Sequence, residues 1–196
     1  MLSIDLEQLQ HWLGLALWPF LRISSCVMVA PVFGGSYVPR RLRVVLAGAL
    51  TLVVLPLLPA TAAAPLLSAD GVLITVQQLL IGTVLGFALQ LVFDALALGG
   101  QLLANGMGLG FAFNLDPLRG VQTPALGQLY VVLGTLTFLS LNGHLALSEL
   151  LLDSFRSLPV GTTGLGPEAL QRLALWGSAL FTGALRIALP GMTALL

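Results

Sequence analysis

The composition of the chain excludes a water-soluble globular protein. Of its 196 residues, 57% are hydrophobic and only 8% are charged, whereas soluble domains carry about 25% charged residues. All eight cations are arginine, eight residues are acidic, and the formal net charge is zero. No basic surface is therefore present to neutralise a phosphate backbone, which excludes nucleic acid as a partner. The composition predicts an integral membrane protein with lipid around it.

Five apolar segments predict an all-α fold of kinked transmembrane helices and helical hairpins, forming a single membrane domain over residues 1–196. A helix needs about 20 mainly apolar residues to cross the hydrocarbon layer. The segments cover residues 9–33, 44–58, 72–98, 125–152 and 168–196. The first should be broken at Pro19, and the third is either long and tilted or broken near Gly99 and Gly100. The fourth should contain a helix break at Asn142, Gly143 and His144.

The two ends of the chain carry expectations of their own. Asp5 and Glu7 precede the first apolar segment with no cation, so we expect that segment to stay as a membrane helix rather than to be a cleaved signal peptide. The last segment is still apolar at Leu196, without the usual interfacial anchors. We therefore expect a C-terminal hairpin to be missing here.

A basic connection sets the expected orientation. It lies between the first two segments and contains three of the eight cations: Arg40, Arg41 and Arg43. Positive charge accumulates on the cytoplasmic side of membrane proteins. We therefore expect this connection to lie in the cytoplasm.

Charges inside apolar segments are costly and usually face a bundle interior or an aqueous path. Three residues meet this description: Arg22, Asp94 and Arg186. A stripe of small and polar residues also runs along the third segment: Gly82, Gly86, Gln90, Asp94 and Gln101. This helix could line a pore or contact another subunit. Alternatively, Asp94 could form a structural ion pair with Arg22 or Arg186.

Residues 106–123 combine alternating glycines with aromatic and turn-forming residues. The positions of interest are Gly106, Met107, Gly108, Gly110, Phe111, Phe113, Asn114, Asp116, Pro117 and Arg119. Proline and glycine disfavour regular helix here, and irregular backbone at membrane depth needs protein or a water-filled cavity around it. The segment is either a loop that blocks a passage or an ordinary surface loop.

Sites for catalysis are not apparent. His11 and His144 lie far apart without carboxylates at ligand spacing, and no serine has an evident base partner. We therefore expect no enzyme activity, no metal and no cofactor.

The ordered series of motifs resembles the FliR family, the export-gate proteins of the flagellar type III secretion system. The matching elements are Trp18-Pro19, Ala30-Pro31, Val38-Pro39-Arg40-Arg41, Gln77-Gln78-Leu79-Leu80-Ile81-Gly82, Met107-Gly108, Asp116-Pro117, Leu141-Asn142-Gly143-His144 and Leu158-Pro159-Val160-Gly161. They span essentially the whole chain. The Asn142-Gly143-His144 element favours the flagellar family over its injectisome sister family.

The resemblance implies a structural role in the bacterial inner membrane, at the flagellar basal body. Family members join FliP-like and FliQ-like subunits, with a FlhB-like switch protein nearby, and unfolded export substrates pass through the gate. The loop that matches residues 106–123 acts as a plug in the closed pore of that family. The rival hypothesis is a stand-alone ion-coupled transporter or channel that uses Asp94 and Arg22.

Overall fold

The computed structural model describes residues 6–34, 38–58, 68–107, 125–161 and 164–193, and within these ranges all regular structure is helical. The helices are α1 (Leu6–Val29), α2 (Pro31–Gly34), α3 (Arg40–Val54), α4 (Ala69–Gly106), α5 (Ala125–Ser140), α6 (Gly143–Ser157) and α7 (Pro167–Thr193), with a 3₁₀ turn at Leu55–Leu57 after α3. The prediction of an all-α fold is confirmed.

Helix α1 runs through Pro19, so the expected break there is wrong. Proline removes one backbone hydrogen bond from a helix, but tertiary packing holds the helix on both sides of it. Trp18 and Arg22 are almost fully buried, and Pro19 is buried with them. The helix continues for nearly three turns beyond Pro19 and ends at Val29. There Ala30 N donates to Cys26 O at 2.9 Å and Pro31 begins α2.

Helix α4 is continuous across Gly99 and Gly100, which decides between the two alternatives for the third apolar segment. Its start is capped, since Gly71 N donates to Ser68 Oγ at 3.1 Å and Asp70 lies in the first turn. With 38 residues it is roughly 57 Å long at 1.5 Å per residue. That length exceeds the hydrocarbon layer of about 30 Å, so α4 is strongly tilted in a bilayer or extends beyond it.

Among the described residues, α4 is the one helix long and apolar enough to cross a membrane by itself. Helices α5 and α6 meet the same criteria only as one broken span, and residues 14–29 of α1 form a shorter apolar helix. The described helices are thus one clear span with shorter or broken companions, which is consistent with the predicted all-α membrane protein of kinked helices.

The chain divides into two compact units. The first unit comprises Met1–Phe87 with Leu145–Leu170, and the second comprises Ala88–His144 with Gln171–Leu196. The single membrane domain expected over residues 1–196 stays a prediction. The first unit has a core in which α1 packs against α3 and the end of α6, with buried Trp18, Ile23, Ala47, Leu151 and Phe155 among its members.

The second unit contains close packing between α4 and α5. The rings of Phe93 and Phe138 meet edge to face, with centroids 5.9 Å apart. A Cβ added at Gly100 would lie 2.9 Å from Gly127 Cα. Glycine at both positions lets the two backbones approach closely, which is the usual way in which membrane helices associate.

Large apolar side chains remain exposed along much of the helical surface. Leu52 of α3 is 74% exposed, Val45 is 66% exposed, and Leu136 of α5 is 58% exposed. Soluble monomers rarely leave such extensive apolar surface in contact with water. These faces therefore require lipid or other protein subunits around them.

Candidate functional site

Arg22 is the most heavily bonded polar side chain in the first unit, and none of it is exposed. Its Nε donates to Gln78 Oε1 on α4 at 2.7 Å. Nη1 donates to Ser154 O at 2.8 Å and to Ser154 Oγ at 3.3 Å, while Nη2 donates to Leu158 O at 2.8 Å. One guanidinium thus joins α1, α4 and the end of α6.

The environment of Arg22 compensates its charge without a carboxylate. Ser154 O and Leu158 O lie at the C-terminal end of α6, where the helix dipole carries partial negative charge. The guanidinium carbon also lies 4.2 Å from the centroid of the Phe155 ring, which adds a cation–π contact. All described partners of Arg22 within the first unit are uncharged, and the alternative of an ion pair between Asp94 and Arg22 or Arg186 stays a prediction.

Beside this network, α1 and α4 cross at Gly82 and Gly86, both of which are buried. A Cβ at Gly82 would collide with Arg22 O and with Ser25 Oγ, and one at Gly86 would lie 2.6 Å from Cys26 O. The two glycines therefore permit a helix contact that no larger residue allows. This part of the predicted stripe serves helix packing.

The stripe on α4 changes its environment along the helix. Residues four apart drift by about 40° around a helix axis, so three such steps carry the stripe from buried Gly82 to exposed Asp94. Gln90 Nε2 donates to Asp94 Oδ1 at 2.8 Å, and Gln101 is exposed. The glycines and the polar residues of the stripe therefore face different surroundings. Arg186 of α7 is exposed and is not hydrogen-bonded to Asp94.

The basic connection occupies the start of α3. Arg40 and Arg41 are exposed in its first turn, and Arg43 donates from Nη2 to Val38 O at 2.9 Å. Cations at a helix N-terminus oppose the helix dipole. Their position is thus unfavourable for the isolated helix, which fits a role outside helix stability, such as the membrane orientation expected from the sequence.

The predicted helix break lies between α5, which ends at Ser140, and α6, which begins at Gly143. Asn142 adopts the left-handed conformation, with φ of 57°, and its N–H donates to Leu139 O at 3.0 Å. A Cβ at Gly143 would collide with the Phe138 ring. His144, the third predicted residue of the break, is already helical in α6 and half-buried.

Substitutions of Asn142 should show that the break depends on backbone conformation. Asparagine and glycine adopt the left-handed region most readily. We expect Asn142→Gly to keep wild-type thermal stability in detergent and Asn142→Val to lose about 1–2 kcal/mol. Equal stability of the two variants would contradict a requirement for positive φ.

Comparison with known proteins identifies the family to which these features belong. Residues 13–196 match the family model described as "Bacterial export proteins, family 1". Over all 196 residues, the chain is 39% identical to "Flagellar biosynthetic protein FliR" of Escherichia coli (strain K12), covering 75% of that relative. The chain belongs to the FliR family. The resemblance drawn from the ordered motifs is confirmed.

FliR proteins of other bacteria are also similar to the chain. The FliR of Pectobacterium carotovorum is 36% identical over the whole chain, which covers 75% of it. The FliR of Aquifex aeolicus is 33% identical over 78% of the chain, which covers 59% of that relative. The chain thus spans about three quarters of the length of the first two relatives.

The segment 106–123, which is predicted to form a plug, lies almost wholly outside the described residues. Helix α4 includes Gly106, and Met107 N still donates to Leu103 O at 3.1 Å. Both residues are exposed at this end of the helix. The predicted positions Gly108, Gly110, Phe111, Phe113, Asn114, Asp116, Pro117 and Arg119 fall in the undescribed range 108–124.

Sequence reasoning missed the partners of Arg22. Gln78 lies one step of four residues before Gly82, so extending the stripe back by one turn would have included it. Its Oε1 accepts from Arg22, while its buried Nε2 has no hydrogen-bond partner among the described residues. Ser154 and Phe155 carry no comparable signal, because they reach Arg22 only through the tertiary fold.

Proposed function

We propose that this chain is a structural subunit of the flagellar type III protein export gate. It forms part of the pore wall and the plug through which unfolded flagellar subunits are exported, in the bacterial inner membrane at the flagellar basal body. The observation that carries this proposal is the 39% identity over the entire chain to a protein named for flagellar biosynthesis. The continuous apolar helix α4 supports the membrane location.

The partners in this proposal are FliP-like and FliQ-like subunits, with a FlhB-like switch protein. Exposed apolar side chains on α3 and α5 support a hetero-oligomer, because lipid or protein must cover them. The close glycine contacts within each unit show that the chain already uses packing between small residues to join helices. The same packing suits contacts with other membrane subunits.

The proposed plug mechanism begins at the end of α4. The helix places Gly106 and Met107 at the start of the segment whose sequence is rich in glycine. In the closed gate, the apolar residues Phe111 and Phe113 exclude water and ions. When substrate enters, the segment moves aside at a cost of about 1–3 kcal/mol, which weak local contacts allow.

Deletion of residues 110–123 tests the plug. We expect the shortened chain to assemble with its partners, because the described helices remain, but to make the membrane leaky to ions and small solutes. The measurement combines co-purification of the gate with ion-leak and motility assays in a bacterium lacking its own FliR. The control variant Asp116→Asn keeps the apolar loop and should leave the membrane tight. Assembly with an unchanged leak would refute the plug.

The rival transporter is disfavoured by the environment of Arg22. A relay residue must exchange partners or protons, yet this guanidinium is fully buried and held by Gln78, Ser154 and Leu158. Arginine also keeps its proton under essentially all conditions. We therefore assign Arg22 a structural role and the chain no catalytic one, as its membership of a bacterial export family supports.

A further inference from the structure

The second half of α4 carries a polar surface that the other described helices of its unit leave exposed. Its members are Gln90, Asp94, Gln101 and Asn105; we call it the Asp94 stripe. At 100° per residue they fall within about 60° of one another around the helix axis. Asp94, Gln101 and Asn105 are exposed, and Gln90 is half-buried. The stripe extends over about four turns.

Packing within the second unit uses other sides of α4. Phe93 and Gly100, which meet α5, point about 100–120° away from Asp94 around the axis. Leu91 lies near Gly177 of α7, where a Cβ would approach it to 3.2 Å. Leu91 is about 60° from Asp94 on the side opposite Phe93, and a Cβ at Gly127 of α5 would lie 3.8 Å from Gln101 N. The two helices therefore flank the stripe, and Asp94, Gln101 and Asn105 remain exposed between them.

Lipid is an unsuitable cover for this surface. An aspartate in the centre of a membrane helix costs about 2.5–3.5 kcal/mol on insertion scales. Gln90 offers one hydrogen bond at 2.8 Å, but a carboxylate has roughly four acceptor positions. Among the described residues of the second unit, no cation pairs with Asp94.

The spacing of polar residues in the Asp94 stripe indicates that a protein helix, rather than water, covers it. On this face of the helix, Ala97 and Leu98 lie between Asp94 and Gln101. The polar side chains therefore occur singly, one or two turns apart, rather than as a continuous polar lining. Membrane helices associate through isolated polar contacts set among small and apolar residues. The bond from Gln90 also holds the carboxylate in one orientation, which suits a single fixed partner.

We propose that the Asp94 stripe binds a transmembrane helix of another export-gate subunit, which places an arginine or lysine against Asp94 and hydrogen-bonding side chains near Gln101 and Asn105. The proposal rests on the function proposed above, which places the chain in a hetero-oligomer. The contact fixes the register of the two helices, because a shift of one turn would leave both charges unpaired in an apolar environment.

Charge reversal in the assembled complex tests the contact. The full chain is co-expressed with its FliP-like and FliQ-like partners, and the subunits recovered with it from mild detergent are quantified. We expect Asp94→Arg to lower partner recovery on the order of 30-fold, because two like charges would meet in a desolvated contact. Asp94→Asn should have a smaller effect in the same direction. Asp70→Arg is the control, since Asp70 is an exposed carboxylate in the first turn of the same helix.

Site-specific photocrosslinking identifies what covers the stripe. A crosslinker at Gln101 should capture a FliP-like or FliQ-like subunit, and an acidic substitution of the basic residue nearest that crosslink should restore assembly to Asp94→Arg. Crosslinking to lipid alone would overturn the proposal. So would rapid labelling of Gln101→Cys by a water-soluble thiol reagent, in a Cys26→Ala background, because it would show an aqueous passage.

The controls separate failure of this contact from failure of the proposed function. If the unaltered chain restores motility and recovers its partners, while Asp94→Arg recovers them equally well, the contact is refuted and the export function stands. If the unaltered chain neither restores motility nor recovers any export subunit, the proposed function itself fails, and the contact fails with it.

Discussion

Replacing Arg22 with methionine should lower the stability of the protein by about 3 kcal/mol. The change leaves the buried Gln78 Oε1 and the half-buried Leu158 O without their donor, while Ser154 O keeps only its bond from Leu158 N at 2.9 Å. Each buried unpaired group costs about 1–3 kcal/mol, and relief from burying a charge offsets part of the sum. Arg22→Lys should also lose most of this stability, because one ammonium group cannot span acceptors that a planar guanidinium joins.

Thermal unfolding in detergent provides the measurement for Arg22. A loss of about 3 kcal/mol corresponds to a fall in Tm of roughly 6–12 °C for a chain of this size. Arg41→Met is the matched control, since Arg41 is exposed on α3 and should change stability by less than about 0.5 kcal/mol. Wild-type stability in Arg22→Lys would show that charge alone, rather than the branched hydrogen bonding, holds the three helices together.

Gly82→Ala should destabilise the protein by about 3 kcal/mol through a different mechanism. The new Cβ would meet the Arg22 carbonyl and the Ser25 hydroxyl, so the backbones of α1 and α4 must move apart. Overpacking of this kind costs about 1–3 kcal/mol and occasionally more. The upper end applies here because separation of these helices also strains the bond between Arg22 and Gln78.

Gly99→Ala is the matched control for this prediction, because it lies on the same helix and a Cβ there would meet no atom within 4 Å. Alanine is favoured over glycine inside a helix by about 1 kcal/mol, so this variant should be slightly more stable than the wild type. The two substitutions should change the melting temperature in opposite directions, which one set of melting curves can show. A similar loss in both variants would mean that helix separation at Gly82 is not the cause.

Some features of the candidate site were accessible from the sequence because they depend on neighbours along the chain. The helix break at Asn142 follows from local turn chemistry, and the structure ends α5 just before it. Four-residue spacing grouped Gly82 with Gly86 as a packing face. The same spacing also placed exposed Asp94 in one stripe with these buried glycines. The 40° drift of each step separates the buried and exposed ends of that stripe over three steps.

Other features failed because tertiary contacts outweighed local preference. Pro19 predicted a break, yet α1 continues because Trp18 and Arg22 are anchored in the core. The partners of Arg22 within its unit could not be predicted from charge, because two of them are carbonyl groups at the end of a distant helix. An acceptor on the backbone carries no residue-specific signal in a sequence, so Ser154 O and Leu158 O could not have been identified.

The sequence by itself determined the membrane character, the helical class and the FliR family, because hydropathy, periodicity and ordered motifs are properties of the linear chain. Only the tertiary structure decided what the buried charge does. Arg22 meets Gln78 at a separation of 56 residues and Leu158 at a separation of 136. Contacts between positions so far apart depend on how the helices pack, and that packing buries Arg22 while Asp94 is exposed.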